Sequence, residues 1–166
     1  MFQFLLAMRP HQWPKNLFVL GALVFSRHLF DPAYVLRSIA AFALFCLLSG
    51  IVYVFNDIQD RESDRQHPEK RNRPIPSKRL SVPWAGASAA VIGVLALWVS
   101  FRLGFHFGWI AVVYLGLNVA YSVRLKHVVI LDVMIVASGF LLRAIGGGVV
   151  IGVEISSWFV LCTMLL

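Results

Sequence analysis

The stretch NDIQDRESD carries an asparagine and three aspartates at Asn56, Asp57, Asp60 and Asp64. If this stretch is helical, about 100° of turn per residue puts Asn56, Asp60, Asp64 and Asp57 near 0°, 40°, 80° and 100°, all within roughly a quarter-turn. Glu62 falls at about 240° and points elsewhere. Asp60 and Asp64 form an i,i+4 pair with Cβ atoms about 6 Å apart, a spacing at which two carboxylates repel unless a cation sits between them. An all-oxygen donor set suits Mg²⁺, which keeps several of its waters and is commonly shared with substrate phosphates. The pattern therefore predicts a Mg²⁺ site on Asn56, Asp60 and Asp64, with Asp57 assisting.

The adjoining stretch, RQHPEKRNRPIPSKR, is basic. Lysine and arginine neutralise phosphate oxygens, arginine through a bidentate fork. Lys70, Arg71 and Arg73 are the expected loop cations. Together with Mg²⁺ on the aspartates they would hold a diphosphate and stabilise it as a leaving group. A plainer reading competes with this one. Arg61 and Arg65 could pair with the acids at a solvated helix end, and the loop charge could reflect membrane topology alone. Topology accounts for the excess of Lys and Arg but not for the acids beside them. Acids near a helix C-terminus also oppose the helix dipole.

These residues need elements to position them, and the composition says which. The chain has 166 residues, 59% hydrophobic and 14% charged. Its apolar residues come in long blocks, so it reads as an all-α, polytopic transmembrane bundle and not a soluble domain. Five spans are expected, over about 14–30, 35–56, 82–101, 105–123 and 128–153, each near the ~20 residues a crossing needs. A sixth run, SSWFVLCTMLL, is too short to cross, and we expect residues 1–166 to be a single membrane domain that is incomplete at its C-terminus. With the N-terminus in the cytoplasm, eleven of the fifteen Lys and Arg lie on the cytoplasmic side and three on the other, with Arg143 inside the fifth span. That asymmetry favours this orientation. The net charge of +7 clusters at the ends of apolar blocks, which points to membrane orientation and away from nucleic acid. The five tryptophans fall near span ends, as interfacial anchors do. The N-terminus does not read as a signal peptide, because its charges come after its short apolar stretch. It is expected as an amphipathic lead-in to the first span. Cys46 and Cys162 lie within apolar runs and read as packing residues. Pro68, Pro74 and Pro76 predict an irregular loop after the acidic stretch.

Other polar residues sit where they could serve the same chemistry. Lys126 faces the surface of the acidic cluster and could reach a diphosphate. Tyr121 and Ser122 could hydrogen-bond a phosphate oxygen or cap the fourth span. Asp132 and Arg143 lie in the fifth span, where a charge costs about 2.5–3.5 kcal/mol on insertion scales. Eleven residues of helix separate them by about 16 Å, too far to pair directly. Each either contacts a ligand or is satisfied by structural pairing. The run Gly146 to Gly148 permits close helix packing or a break in the span, and packing is the favoured reading.

The stretch NDIQDRESD resembles the N-D-x-x-D-x-x-x-D motif of the UbiA-type intramembrane prenyltransferases, and HPEKRNRPIPS resembles the segment after that motif in the same proteins. YSVRLK, Tyr121 to Lys126, with LDV shortly after, resembles the second cytoplasmic motif of that superfamily. RPHQWPKN, NRPIPS and GFLLRAIGGG are similar to its decaprenyl-phosphate phosphoribosyltransferase-like branch. The resemblance implies a nine-span fold, of which this chain would supply five spans and the start of a sixth, and a second aspartate motif beyond it. It implies an inner-membrane enzyme with its site facing the cytoplasm. That enzyme would use Mg²⁺ to move a phosphoribosyl group from phosphoribosyl pyrophosphate to a polyprenyl phosphate, a step of cell-wall lipid-linked precursor synthesis. Asp60, Asp64 and Lys126 would carry catalysis. Lys70, Arg71, Arg73, Tyr121, Ser122, Asp132 and Arg143 would contact substrate. For Lys15 and Asn16 the branch implies a contact with the donor phosphates, against simple interfacial anchoring. Two alternatives stay open: transfer of a prenyl group from a polyprenyl diphosphate to an aromatic acceptor, and a non-catalytic membrane partner or transporter. The sequence does not fix an oligomeric state, and a homo-oligomer remains open.

Overall fold

The computed structural model describes residues 2–123 and 129–165. Every regular element among them is a helix. The longest, α3 (Pro32–Gln59), begins where its sequence says it should. Asp31 accepts a hydrogen bond from the Ala33 amide at 3.0 Å, and Pro32 occupies the first helical position, where no amide is needed. Its 28 residues extend about 42 Å, more than the ~30 Å hydrocarbon core of a bilayer. Three further segments are long and apolar enough to cross a membrane: α5 (Val82–Leu103), α6 (Phe105–Val123) and the Val133–Ile151 part of α7 (Val129–Ile151). These four match the second to fifth expected spans.

Helix α3 is the centre of the bundle. Its most apolar window is 61% buried against 22–39% in the other three, because α5, α6, α7 and the N-terminal segment all pack on it. Phe45 of α3 meets Phe107 and Tyr114 of α6 edge to face, with centroids 5.8 and 5.2 Å apart. A second cluster joins Ile51 and Val54 of α3 to Phe4, Ala7 and Met8 at the N-terminus and to Ile75 of the basic loop. The short helix α1 (Phe2–Ala7) buries Phe4 and Ala7 in that cluster and leaves Phe2, Leu5 and Leu6 exposed, one apolar face inward and one outward.

The first expected span needs correction. Residues Pro10–Leu20 form a 3-10 helix, followed by a five-residue α2 (Gly21–Phe25). The reason is local. Pro14 cannot donate to an α-helical ladder and its ring crowds the preceding turn. The 3-10 rise of ~2.0 Å per residue still carries these elements about 30 Å, a membrane's thickness, with fewer residues than an α-helix would use. This rod lies close against α7. A Cβ added at Gly147 would stand 1.9 Å from the Val19 carbonyl oxygen, so only glycine permits the approach. Close packing is thus what the glycine run provides. Helix α7 then ends at Gly152, whose φ of 68° is the left-handed conformation that closes a helix. The apolar run after it forms α8 (Ser157–Leu165).

The basic loop is more ordered than its prolines suggest. A short α4 (Arg61–Gln66) restarts directly after α3, and a 3-10 turn covers Lys70–Asn72. Pro74, Ile75 and Pro76 are buried, which clamps the loop over the end of α3.

Candidate active site

The end of α3 holds the aspartates because the helical repeat barely falters there. Helix α3 stops at Gln59, yet the Asp60 amide still donates to Asn56 O and the Asp64 amide to Asp60 O, both at 2.8 Å. The helical register therefore carries across the junction into α4.

Asp57 is buried, and one of its oxygens, Oδ1, takes two guanidinium groups: Arg9 and, at 3.3 Å, Arg73 Nη1. Arg73 Nη1 also donates to Asp64 Oδ2 at 2.7 Å, and Lys70 Nζ lies 3.9 Å from Asp64 Oδ1. Arg73 is thus the bridge between two aspartates from adjacent helices. The second oxygen of Asp57, Oδ2, is buried without a hydrogen-bond partner. Arg61 and Arg65 do something different. Both pair with Glu62 on the outer surface, at 3.2 and 2.9 Å, and Arg65 also donates to Pro76 O. The hydrogen bond from Arg61, with help from Arg65, holds the Glu62 carboxyl below its usual range. The cations that engage Asp57 and Asp64 therefore come from the N-terminus and the loop.

A hollow of about 220 Å³ opens beside this network. It is lined by Asn56, Asp57 and Asp60 at the end of α3, by Arg9, Lys70 and Arg73, and by Tyr121 and Ser122 of α6. Ser122 Oγ is within hydrogen-bonding distance of Asn56 Oδ1 and of Asn118 O. Arg9, whose φ of 53° turns the chain sharply, also stacks over Tyr53 at 4.8 Å. A second hollow, of about 170 Å³, shares Tyr121 with the first and is lined by Lys15, Tyr53, Asn118 and Arg143 among others.

Of the residues expected from the sequence, the structure gathers Asn56, Asp57, Asp60, Lys70, Arg73, Tyr121 and Ser122 at the first hollow. Asp64 reaches it through its ion pairs with Arg73 and Lys70. Lys15 and Arg143 line the second hollow, while Asn16 turns into the bundle. Its Nδ2 donates to Ser49 Oγ at 3.1 Å and its Oδ1 accepts from Arg143 Nε at 2.7 Å. Arg71 is exposed on the 3-10 turn, away from both hollows. Lys126 and the Asp132 side chain lie outside the described residues. Arg9, Tyr53, Tyr114 and Asn118 were not singled out from the sequence. Arg9 sits inside RPHQWPKN and counted only as a topology charge; no local spacing links it to Asp57, 48 positions away.

The donor set admits a divalent cation of one kind. Among the described residues no three acidic, His or Cys side chains are grouped to cage a metal. What is present is the Asp60 carboxylate, the Asn56 carboxamide and Asp57, beside cations able to hold phosphate. That set fits Mg²⁺, which takes one or two carboxylates and completes its octahedron with water and substrate phosphate.

Fold and site together define a polytopic helical bundle with a mixed-charge hollow at one end. The chain belongs to the UbiA prenyltransferase family, whose pattern matches residues 16–166. Over 159 residues it is 42% identical to the decaprenyl-phosphate phosphoribosyltransferase of Mycolicibacterium smegmatis, covering 93% of this chain and 50% of that protein. The chain thus spans about half the length of this relative. A solved structure concerning digeranylgeranylglyceryl phosphate synthase superposes with a TM-score of 0.83 at 23% identity, over 98% of this chain and 58% of that one. A UbiA homologue from Archaeoglobus fulgidus, bound to DMAPP and Mg²⁺, superposes at 0.81 with 17% identity, over 98% and 59%. At these identities the two structures establish the fold.

Proposed function

We propose that this chain carries the diphosphate-receiving site of a membrane transferase that moves a phosphoribosyl group from phosphoribosyl pyrophosphate to a polyprenyl phosphate. The observation that carries this reading is the first hollow, whose lining brings Asn56 and Asp60 together with Arg9, Lys70 and Arg73. The 42% identity to a decaprenyl-phosphate phosphoribosyltransferase supports the choice of substrates.

In the proposed reaction a lipid phosphate oxygen bonds to C1 of the ribose. The bond from C1 to the diphosphate oxygen breaks, and its electron pair leaves with the diphosphate. A phosphate monoester dianion becomes a diester monoanion, so no proton need move. Lys70 and Arg73 offset the negative charge that grows on the leaving group, and they are held ready for it by Asp64 and Asp57. Asn56 and Asp60, with Asp57 assisting, would hold Mg²⁺, which neutralises diphosphate charge when bound. Ser122 fixes the Asn56 carboxamide. Asp64 acts in this scheme by positioning Arg73 and Lys70. Lys126 completes the proposed catalytic set, and Arg71 and Asp132 remain proposed substrate contacts. With the N-terminus in the cytoplasm, the hollow opens to the cytoplasmic face of the cell membrane, where a soluble donor arrives and the lipid tail stays in the bilayer.

The test uses full-length protein in nanodiscs with labelled phosphoribosyl pyrophosphate and a polyprenyl phosphate. Label should enter the lipid fraction with Mg²⁺, stop with EDTA, and stop in Asp60→Ala and Asp64→Ala. Full activity in either variant would remove the proposed roles of these acids. Transfer from a polyprenyl diphosphate to an aromatic acceptor, without label in the lipid phosphate, would replace the substrates.

A further inference from the structure

Helix α1 has a face that the bundle does not use. Phe4, Ala7 and Met8 turn inward, and Met8 lies so close to α3 that a Cβ added at Gly50 would stand 2.6 Å from its Cε. Phe2, Leu5 and Leu6 turn outward and are 68, 46 and 42% exposed. A helix of six residues is too short to persist alone, so packing on α3 is what presents this outer face.

Its neighbour shows what the face meets. Phe4 packs edge to face on Trp84, with centroids 5.8 Å apart. Trp84, Val91, Leu95 and Trp98 are all exposed, and at 100° per residue they fall within about 60° on α5. Helix α5 is long and apolar enough to cross a membrane, so this stripe is its lipid face. Trp84 lies in the first turn of α5, where an indole suits the boundary between headgroups and acyl chains. The outer face of α1 therefore continues the lipid-facing surface at that boundary. The charge nearby agrees. Lys78 and Arg79 are exposed just before Leu80, which is buried in the same cluster as Phe4. An apolar face with a basic rim suits an anionic lipid surface.

Helix α1 is also tied to the first hollow. The Met8 amide donates to Phe4 O at 3.0 Å and the Arg9 amide to Leu6 O at 3.1 Å, so Arg9 is fixed to the helix. Its guanidinium then reaches Asp57 and stacks over Tyr53.

We propose that α1 is a membrane-docking surface that couples anionic lipid to the site. Phe2, Leu5 and Leu6 enter the headgroup boundary, Lys78 and Arg79 meet lipid phosphates, and this seating holds Arg9 on Asp57 beside the first hollow. Anionic lipid thereby tightens diphosphate binding, the opposite of what simple repulsion between the surface and an anion would do. The lipid contact stands on its own, whereas its effect on diphosphate rests on the function proposed above.

The test uses full-length protein in nanodiscs of phosphatidylcholine with or without phosphatidylglycerol. A nitroxide is placed at Leu6→Cys, with Cys162→Ser removing the exposed native thiol. Its relaxation should respond to oxygen more than to a water-soluble nickel chelate, the reverse of a label at Glu69→Cys on the exposed loop turn. Mg²⁺–diphosphate binding should weaken about fivefold from anionic to neutral nanodiscs, and as much in Leu5→Ser/Leu6→Ser in anionic ones. Lys78→Gln/Arg79→Gln, which leaves the α1 face intact, should remove the difference between the two lipids. A Leu6→Cys label as open to the nickel chelate as the Glu69→Cys label overturns the lipid contact. Diphosphate affinity indifferent to lipid and to Leu5→Ser/Leu6→Ser overturns the link through Arg9. If the wild-type protein binds no Mg²⁺–diphosphate in either lipid, the proposed function fails, and the nitroxide result still decides the contact.

Discussion

Two arginine networks sit within one bundle, one half-buried and one buried, and their partners differ. At the end of α3, Arg9 and Arg73 meet Asp57 and Asp64, so charge is compensated within the protein. Deeper in, the partners of Arg143 among the described residues are a carboxamide, a phenol and two aromatic faces. The first network ties the N-terminus, α3, α4 and the basic loop together, and it holds its cations where an anion can join them. The second holds a cation rigidly while leaving its charge unmatched by the described carboxylates. A compensated pair is mainly a structural joint that a ligand can exploit.

The largest effect that tests this contrast is Asp57→Ala. It leaves the half-buried Arg9 and Arg73 without their shared carboxylate, and we expect a loss of about 2–3 kcal/mol, seen as a lower Tm in detergent. Asp60→Asn should lose less Tm than Asp57→Ala while removing Mg²⁺-dependent turnover. If both variants lose Tm equally, the division between joint and ligand site fails. Next in size, Gly147→Ala should force the Pro10–Leu20 rod away from α7, because the new methyl meets backbone and not a flexible side chain. The expected cost is about 1–3 kcal/mol. The same shift should separate Asn16 from Arg143. A smaller loss, about 1 kcal/mol, is expected for Asn16→Leu, which leaves Arg143 Nε without its acceptor. Arg143→Met combined with Asn16→Leu should cost less than the sum of the two single changes, as a thermal melt of all four proteins would reveal. The smallest effect is Glu62→Gln. Its carboxyl is held down by Arg61 and Arg65, so its contribution to stability is present at neutral pH and fades as pH falls through its lowered value. Being exposed, Glu62→Gln should lower Tm at pH 7 only slightly and leave turnover unchanged, and a clear loss of turnover would move Glu62 into the site.

The aspartates were legible because helical spacing is a local property. Asn56, Asp57 and Asp60 share a face at the periodicity read from NDIQDRESD, and the amide bonds at Asp60 and Asp64 keep that register through the α3–α4 junction. Glu62, expected to point elsewhere, pairs on the outer surface. The first span was harder to read. Its apolar content forecast a crossing segment, but Pro14 changed the helix type, which hydropathy does not report. Arg9 escaped because nothing near it in sequence is acidic. Asn16 reads equally as an anchor or a ligand contact until its partner Arg143, 127 positions away, is in place.

By itself the sequence determined the helical bundle, most of its spans and the acidic face of α3. These come from residue-by-residue preference for apolar surroundings and from the ~3.6-residue repeat, both set by neighbours along the chain. Only the tertiary structure decided which cations answer which acids, and that Arg143 is held by neutral groups beside a hollow. Such pairings depend on chain segments 48 to 127 positions apart meeting in space, and packing of whole helices, not local spacing, brings them together.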